Sequence, residues 1–264
     1  MRILLAAKHA PLGRRQIGGV QSWCTTVAAL LGRLGHSVAM WGPELPVPRD
    51  RFDLGIMANL GDTAPAAGLC DRVLNVCHGI IPAEAPVGDR VVFTSEGIRD
   101  HWNGSGPVIR QPINLDFWSP AVVVRENLTR FSYRGGLGFL PAVAADLSLQ
   151  FRHVRDLGGV ELRHMLRRSV CVLATGRAAL EAMACGVPVV ICDHRSAYQG
   201  PLLDPDTLGS MARNYSGRGG VEPTPEIVAE AVQAAVGRGS LRDHVAQHHD
   251  AGTVTKQILE AAGC

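Results

Sequence analysis

Apolar residues along the chain fall into short solid runs separated by longer stretches with helical spacing. The first run, residues 2–7 (RILLAA), is too continuous for a half-exposed strand, so the pattern predicts a strand buried on both faces. A loop with Gly13, Gly18 and Gly19 follows, and residues 21–34 then repeat apolar positions at helical spacing. Gly35 closes that helix, and residues 36–41 read as the next strand. Further runs at 54–58, 73–77, 90–94 and 107–110 keep the rhythm. Strands that alternate with helices predict a parallel sheet covered on both faces.

The second half restarts the same pattern. Residues 114–124 read as an inter-domain connection, with Pro120 ending the first set of elements. A strand at 130–133 leads into a glycine cluster at Gly135, Gly136 and Gly138. A helix at 160–168, a strand at 170–174, a helix at 177–185 and a strand at 188–192 follow, with two closing helices at 225–236 and 249–262. The expected fold class is α/β, with two Rossmann-like parallel-sheet domains at 1–118 and 119–240, the second trimmed. Residues 241–264 are expected as a C-terminal helix packing back on the first domain.

Composition changes this picture in three places. The chain of 264 residues is 46% hydrophobic and only 5% aromatic, so Val, Leu, Ile and Ala must fill the two cores. Lys8 and Lys256 are the only lysines among 26 basic residues, so any grip on phosphate must use arginine, backbone N–H groups or a helix N-terminus. The seven cysteines contain no C-x-x-C and lie mostly in apolar runs, which predicts reduced thiols and a cytoplasmic protein. The N-terminus lacks the long apolar core of a signal peptide, and no run approaches the ~20 residues of a membrane span, so no stable membrane insertion is expected.

Candidate chemistry concentrates in GRAALEAMACGVP, residues 176–188. Gly176 opens a helix directly after a strand. The N–H groups of Arg177, Ala178 and Ala179 are then unpaired and favour an anion, with the helix dipole and the Arg177 charge adding to them. Glu181 lies one turn further in, where a carboxylate can accept hydrogen bonds from both hydroxyls of a ribose. The first loop, with Gly18 and Gly19, lacks the G-x-G-x-x-G spacing of a dinucleotide site. His78 follows a strand and precedes Gly79, a placement suited to a reacting group. Asp204 and Asp206 mimic a metal-binding D-x-D but read better as a turn. The run His248, His249, Asp250 reads as surface, since neighbours on a helix do not share a face.

The same segment resembles the GT-B glycosyltransferases of the retaining family called GT4, whose signature is similar to E-G-F-G-x-x-x-x-E-A-M-A-C-G-x-P-V-V. Glu181, Ala182, Met183, Ala184, Cys185, Gly186, Pro188, Val189 and Val190 match its second half, and Gly176 matches its second glycine. The family's first glutamate, which holds the donor sugar, falls on Leu173. Residues 18–41 resemble the family's G-G…L-A-x-x-L-x-x-x-G-H-x-V segment. QPINLDFWSP (111–120) resembles its linker, and Ser95 its serine before a helix. Compact chains of this kind resemble enzymes of phages, some of which glycosylate hydroxymethylated bases in DNA.

The resemblance implies a transferase that moves a sugar from a nucleotide-diphosphate-sugar, UDP-sugar first among them, to an acceptor hydroxyl with retention. The acceptor is a glycan, a lipid or a modified base in DNA. No cofactor or metal is implied, because N–H groups and arginines neutralise the leaving diphosphate. Gly18, Gly19, Arg134, Gly135, Gly176, Arg177, Ala178, Ala179 and Glu181 are the expected nucleotide-sugar contacts. His78, Arg134 and Arg177 are the expected catalytic groups. Leu173 in place of the sugar-holding glutamate supports an alternative, a nucleotide-sugar-binding protein without transferase activity.

Overall fold

The run at the N-terminus forms strand β1 (Arg2–Ala7), and its residues from Ile3 to Ala7 are fully buried. The computed structural model describes residues 1–8, 18–59, 68–82, 85–132, 137–155, 157–192, 198–201, 208–216 and 221–264, with 198–201 and 208 described by backbone alone. β1 lies between β2 (Ser37–Trp41) and β3 (Leu54–Ala58), followed by β4 (Val73–Cys77) and β5 (Val91–Phe93). All five are parallel, in the order β2-β1-β3-β4-β5. Helix α1 (Gly19–Arg33) buries Trp23, Cys24, Val27 and Leu31 against Ile3, Leu5 and Ile56 of one face. Leu4, Ala6, Trp41, Phe52 and Met57 form a second cluster, as the alternation of strand side chains requires. A short helix α2 (Glu96–His101) follows β5. Ser95 caps it, accepting from the Ile98 N–H at 3.4 Å.

Residues 107–110 do not form the expected strand. Only Val108 bridges to Phe93, because Pro107 has no N–H to donate and Gly106 presses on β5. A Cβ at Gly106 would stand 2.0 Å from the Val91 carbonyl oxygen.

The second sheet contains β6 (Asn127–Phe131), β7 (Gln150–Val154), β8 (Ser169–Ala174), β9 (Val189–Cys192) and β10 (Tyr198–Pro201). Its order is β10-β9-β8-β6-β7, with four parallel strands and β10 antiparallel at one edge. Helices α3 (Leu140–Asp146), α4 (Gly159–Arg167), α5 (Gly176–Ala184), α6 (Leu208–Ala212) and α7 (Pro225–Arg238) surround it. α3 and α7 close one face over Leu128, Cys171, Leu173 and Val190. Leu173, the position of the family's sugar-holding glutamate, is thus a fully buried core residue. α4 and α5 pack on β8 from the same sequence block. β7 and α3 lie outside the predicted elements; β7 (QFRHV) is an edge strand with three exposed residues and little apolar signal.

The chain divides into two units, Met1–Asn114 with His249–Cys264, and Leu115–His248. The expected breaks stood at 118 and 240. Arginines explain both differences. Arg242 of α8 (Arg242–His249) donates to the carbonyls of Leu115 at 3.1 Å and Trp118 at 2.7 Å, and to that of Ala184. Arg163 donates to the Phe117 carbonyl at 3.1 Å, and Arg167 to the Ser119 carbonyl at 2.7 Å. The connection from Leu115 onward, with most of α8, thereby belongs to the second unit.

The expected helix at 249–262 forms as α9 (Ala251–Ala261), capped by Asp250, whose carboxylate accepts from the Thr253 N–H at 2.8 Å, and α8 precedes it as a separate helix that the pattern did not predict. α9 packs Val254 and Ile258 into the core of the first unit. His249 is buried, contrary to the surface reading of 248–250, and its Nδ1 lies 2.9 Å from the Gln111 carbonyl. No helix among the described residues is long and apolar enough to cross a membrane. All seven cysteines are free thiols, and burial pushes those of Cys171 and Cys185 up to about 12.

Candidate functional site

Each sheet reverses its winding once, and in open α/β sheets ligands bind at such reversals, at the carboxyl ends of the strands. In the second sheet the reversal lies between β6 and β8, since β7 was added on one side of β6 and β8 on the other. Helix α5 starts there. Thr175 precedes it in an extended conformation and makes no side-chain cap. Gly176 has φ +56°, which favours glycine, and a Cβ there would meet the Asn214 carbonyl oxygen at 3.8 Å. Its N–H donates to the Tyr215 carbonyl at 2.9 Å. The N–H groups of Ala178 and Ala179 have no acceptor outside their own helix among the described residues. The start of α5 is thus a helix N-terminus without a side-chain cap.

Arg177 and Glu181 are placed differently from the simplest expectation. Arg177 turns along the helix and donates from Nε to Glu181 Oε1 at 2.9 Å. The two side chains are only 4% and 5% exposed. Burial pushes the Glu181 carboxyl above its ordinary value, and the charge and hydrogen bond of Arg177 pull against that shift. Glu181 Oε2 has no hydrogen-bond partner among the described residues. One carboxylate oxygen is thus fixed by the chain, and the other remains able to accept.

Asn214 and Tyr215 meet the start of α5, His244 meets Tyr215, and none of the three carries a signature in the sequence. Asn214 and Tyr215 are both left-handed, at φ +56° and +54°, and this turn presents the Tyr215 carbonyl to Gly176. The Tyr215 hydroxyl and His244 Nε2 are 2.8 Å apart and buried. Arg134 and Gly135, the remaining expected contacts in this half, lie outside the described residues, as do Gly13, Asp204 and Asp206.

In the first sheet the reversal lies between β1 and β3. Gly18 is the N-cap of α1 and Gly19 its first residue, so both stand at the carboxyl side of β1. His78 directly follows β4. Its ring meets Trp23 of α1 edge to face, with centroids 4.9 Å apart. Its backbone N–H donates to Asn59 Oδ1 at 2.7 Å, and the next carbonyl, of Gly79, accepts from Trp102 Nε1 at 2.9 Å. The fold therefore brings His78 beside the helix that Gly18 and Gly19 open. Asn59 was not among the expected residues. The signal that marks it is an asparagine directly after a buried run, a residue suited to leaving a strand through a left-handed turn.

No family model matches the chain, and no curated protein matches it in sequence. Solved structures do match in fold. AviGT4, a glycosyltransferase involved in avilamycin A biosynthesis, superposes with a TM-score of 0.67 at 16% identity, covering 100% of this chain and 97% of that one. An alpha-glucosyltransferase in complex with UDP and a 13-mer DNA gives 0.64 at 10% identity, covering all of both chains. The calicheamicin glycosyltransferase CalG4 gives 0.51 at 11% identity, covering 99% and 98%. The two sheets, with five and four parallel strands, are the two Rossmann-like domains of the GT-B fold.

Proposed function

We propose that the protein is a glycosyltransferase that takes a sugar from a nucleotide-diphosphate-sugar, UDP-sugar first, and passes it to an acceptor hydroxyl with retention, as the GT4 resemblance implies. The observation that carries this reading is Glu181. It is a buried carboxylate one turn inside α5, with one oxygen held by Arg177 and the other able to accept, beside an uncapped helix start at the reversal of the second sheet. The GT-B fold shared with AviGT4 and the UDP-bound alpha-glucosyltransferase is consistent with it.

In this reading the ribose hydroxyls donate to Glu181, and the diphosphate meets the N–H groups of Ala178 and Ala179, with Arg134 and Gly135 from the glycine cluster. Arg177 acts by orienting Glu181. The developing charge of the leaving diphosphate is stabilised by these donors without a metal ion. Gly18 and Gly19 add backbone contacts to the nucleotide-sugar, and His78 touches the sugar or orients the acceptor hydroxyl. The acceptor is a hydroxyl of a glycan or lipid, or of a hydroxymethylated base in DNA. The reduced thiols fit action in the cytoplasm.

The test is calorimetric titration with UDP-, GDP-, ADP- and dTDP-sugars, combined with release of the free nucleotide diphosphate across acceptors of all three classes. Glu181→Ala should weaken donor binding by about 1.5–3 kcal/mol, the scale of hydrogen bonds to a charged group. Unchanged affinity overturns the site. Leu173 packed in the core favours a second reading, a protein that binds the nucleotide-sugar without transferring it. Tight binding with no turnover on any acceptor would select it.

A further inference from the structure

His78 is held at the carboxyl end of the first sheet by a departure from regular pairing between β3 and β4. In a parallel ladder a residue donates its N–H to one neighbour and returns its carbonyl to the residue two further along. The Asn59 N–H donates to the Val76 carbonyl at 3.0 Å, so the ladder would next join the Asn59 carbonyl to the His78 N–H. Asn59 is instead left-handed, at φ +51°, which turns its backbone out of the ladder. Its side-chain Oδ1 makes the missing bond, accepting from the His78 N–H at 2.7 Å. Asn59 is 6% exposed, so water is a poor substitute for this acceptor.

We propose that Asn59 is a positioning residue for His78: its side-chain oxygen replaces the ladder carbonyl, so β3 can turn away while His78 stays in register at the carboxyl edge of the sheet. This rests on the reading of the protein as a glycosyltransferase with His78 beside the reacting sugar. Asparagine is suited to the task because it tolerates the left-handed region and supplies an acceptor, whereas glycine supplies only the first. Trp23 and Trp102 complete the hold, one on the His78 ring and one on the Gly79 carbonyl. A buried N–H left without a partner would let residues 78–79 shift, and small shifts of a reacting group cost rate more than affinity.

The experiment compares Asn59→Gly with Asn59→Asp. Glycine accepts φ +51° and keeps the fold but removes the oxygen; aspartate keeps both the oxygen and the tolerance of the turn. Sugar transfer by Asn59→Gly should fall roughly ten- to a hundredfold in kcat, with the donor KM unchanged. Asn59→Asp should recover most of it. The imidazole proton resonance of His78, shifted by the Trp23 ring, provides a readout independent of activity. It should move in Asn59→Gly and stay in Asn59→Asp. An Asn59→Gly protein with the wild-type resonance and kcat overturns the proposal. So does an Asn59→Asp protein that falls as far as the glycine variant. A wild-type protein that transfers no sugar overturns the transferase reading instead, and the resonance alone then decides whether Asn59 positions His78.

Discussion

Arg177 and Glu181 have the spacing of an ordinary helix-surface pair, which contributes only about 0.2–0.5 kcal/mol. Burial changes what their removal does. Deleting one partner leaves a charge without its counter-charge in a site that water barely reaches, a loss of about 3–5 kcal/mol. Glu181→Ala should therefore lower stability by about that much in urea unfolding. The double change Arg177→Met with Glu181→Leu should lower it less than either single deletion. Glu181→Gln keeps the shape and an acceptor for Arg177 and removes only the charge, so it separates the contribution of the charge from that of packing. The raised carboxyl gives the pair a definite pH dependence. The folded protein holds the Glu181 proton more tightly than the unfolded chain, so stability relative to Glu181→Gln should fall as pH rises from the ordinary carboxylate value through the raised one. Donor affinity should move the opposite way, weakening on acidification from a pH above 4.5, because a protonated Glu181 is a weaker acceptor for ribose. Titration with an intact UDP-sugar, whose diphosphate does not itself titrate there, checks this. Affinity that is flat down to the ordinary carboxylate range would remove Glu181 from the donor site.

At the scale of elements, the start of α5 depends on Gly176. Any L-residue at φ +56° costs about 1–2 kcal/mol. Gly176→Ala should lower stability by that amount and weaken donor binding further by displacing the helix start; thermal shift with and without UDP-sugar separates the two effects. This element was legible in the sequence because strand, glycine and helix follow one another without interruption. Strands β1, β3 and β4 were legible for the same reason, as continuous apolar runs. Residues 107–110 looked similar but failed as a strand, since proline removes a donor and Gly106 lies against Val91. β7 was missed because an edge strand needs little apolar surface. Tyr215 and Asn59 were missed for a different reason. Each acts on the site through a contact distant in sequence, Tyr215 on Gly176 and Asn59 on His78, and no periodicity records such a contact.

At the scale of the whole molecule, the scarcity of lysine acquires a structural meaning. Arg242 reaches three carbonyl oxygens of the second unit with one planar group, a task the point charge of lysine cannot perform. Arg242→Lys should thus behave like Arg242→Met, each losing about 1.5–3 kcal/mol from the second unit in denaturant unfolding. The C-terminal helix poses the complementary case. It is last in sequence, yet it completes the core of the first unit, where Val254, Ile258 and Ala262 are almost fully buried. Burying a large aliphatic side chain contributes about 1.5–3 kcal/mol, so the valine and isoleucine alone supply roughly 3–6 kcal/mol. That is comparable with the whole net stability of a domain, about 5–15 kcal/mol. A chain ending at residue 249 should therefore lose hydrogen-exchange protection in β1, β3 and β4 while β6, β8 and α5 keep theirs, because the second unit has its own core. Uniform loss across both units would mean instead that the two fold as one cooperative body.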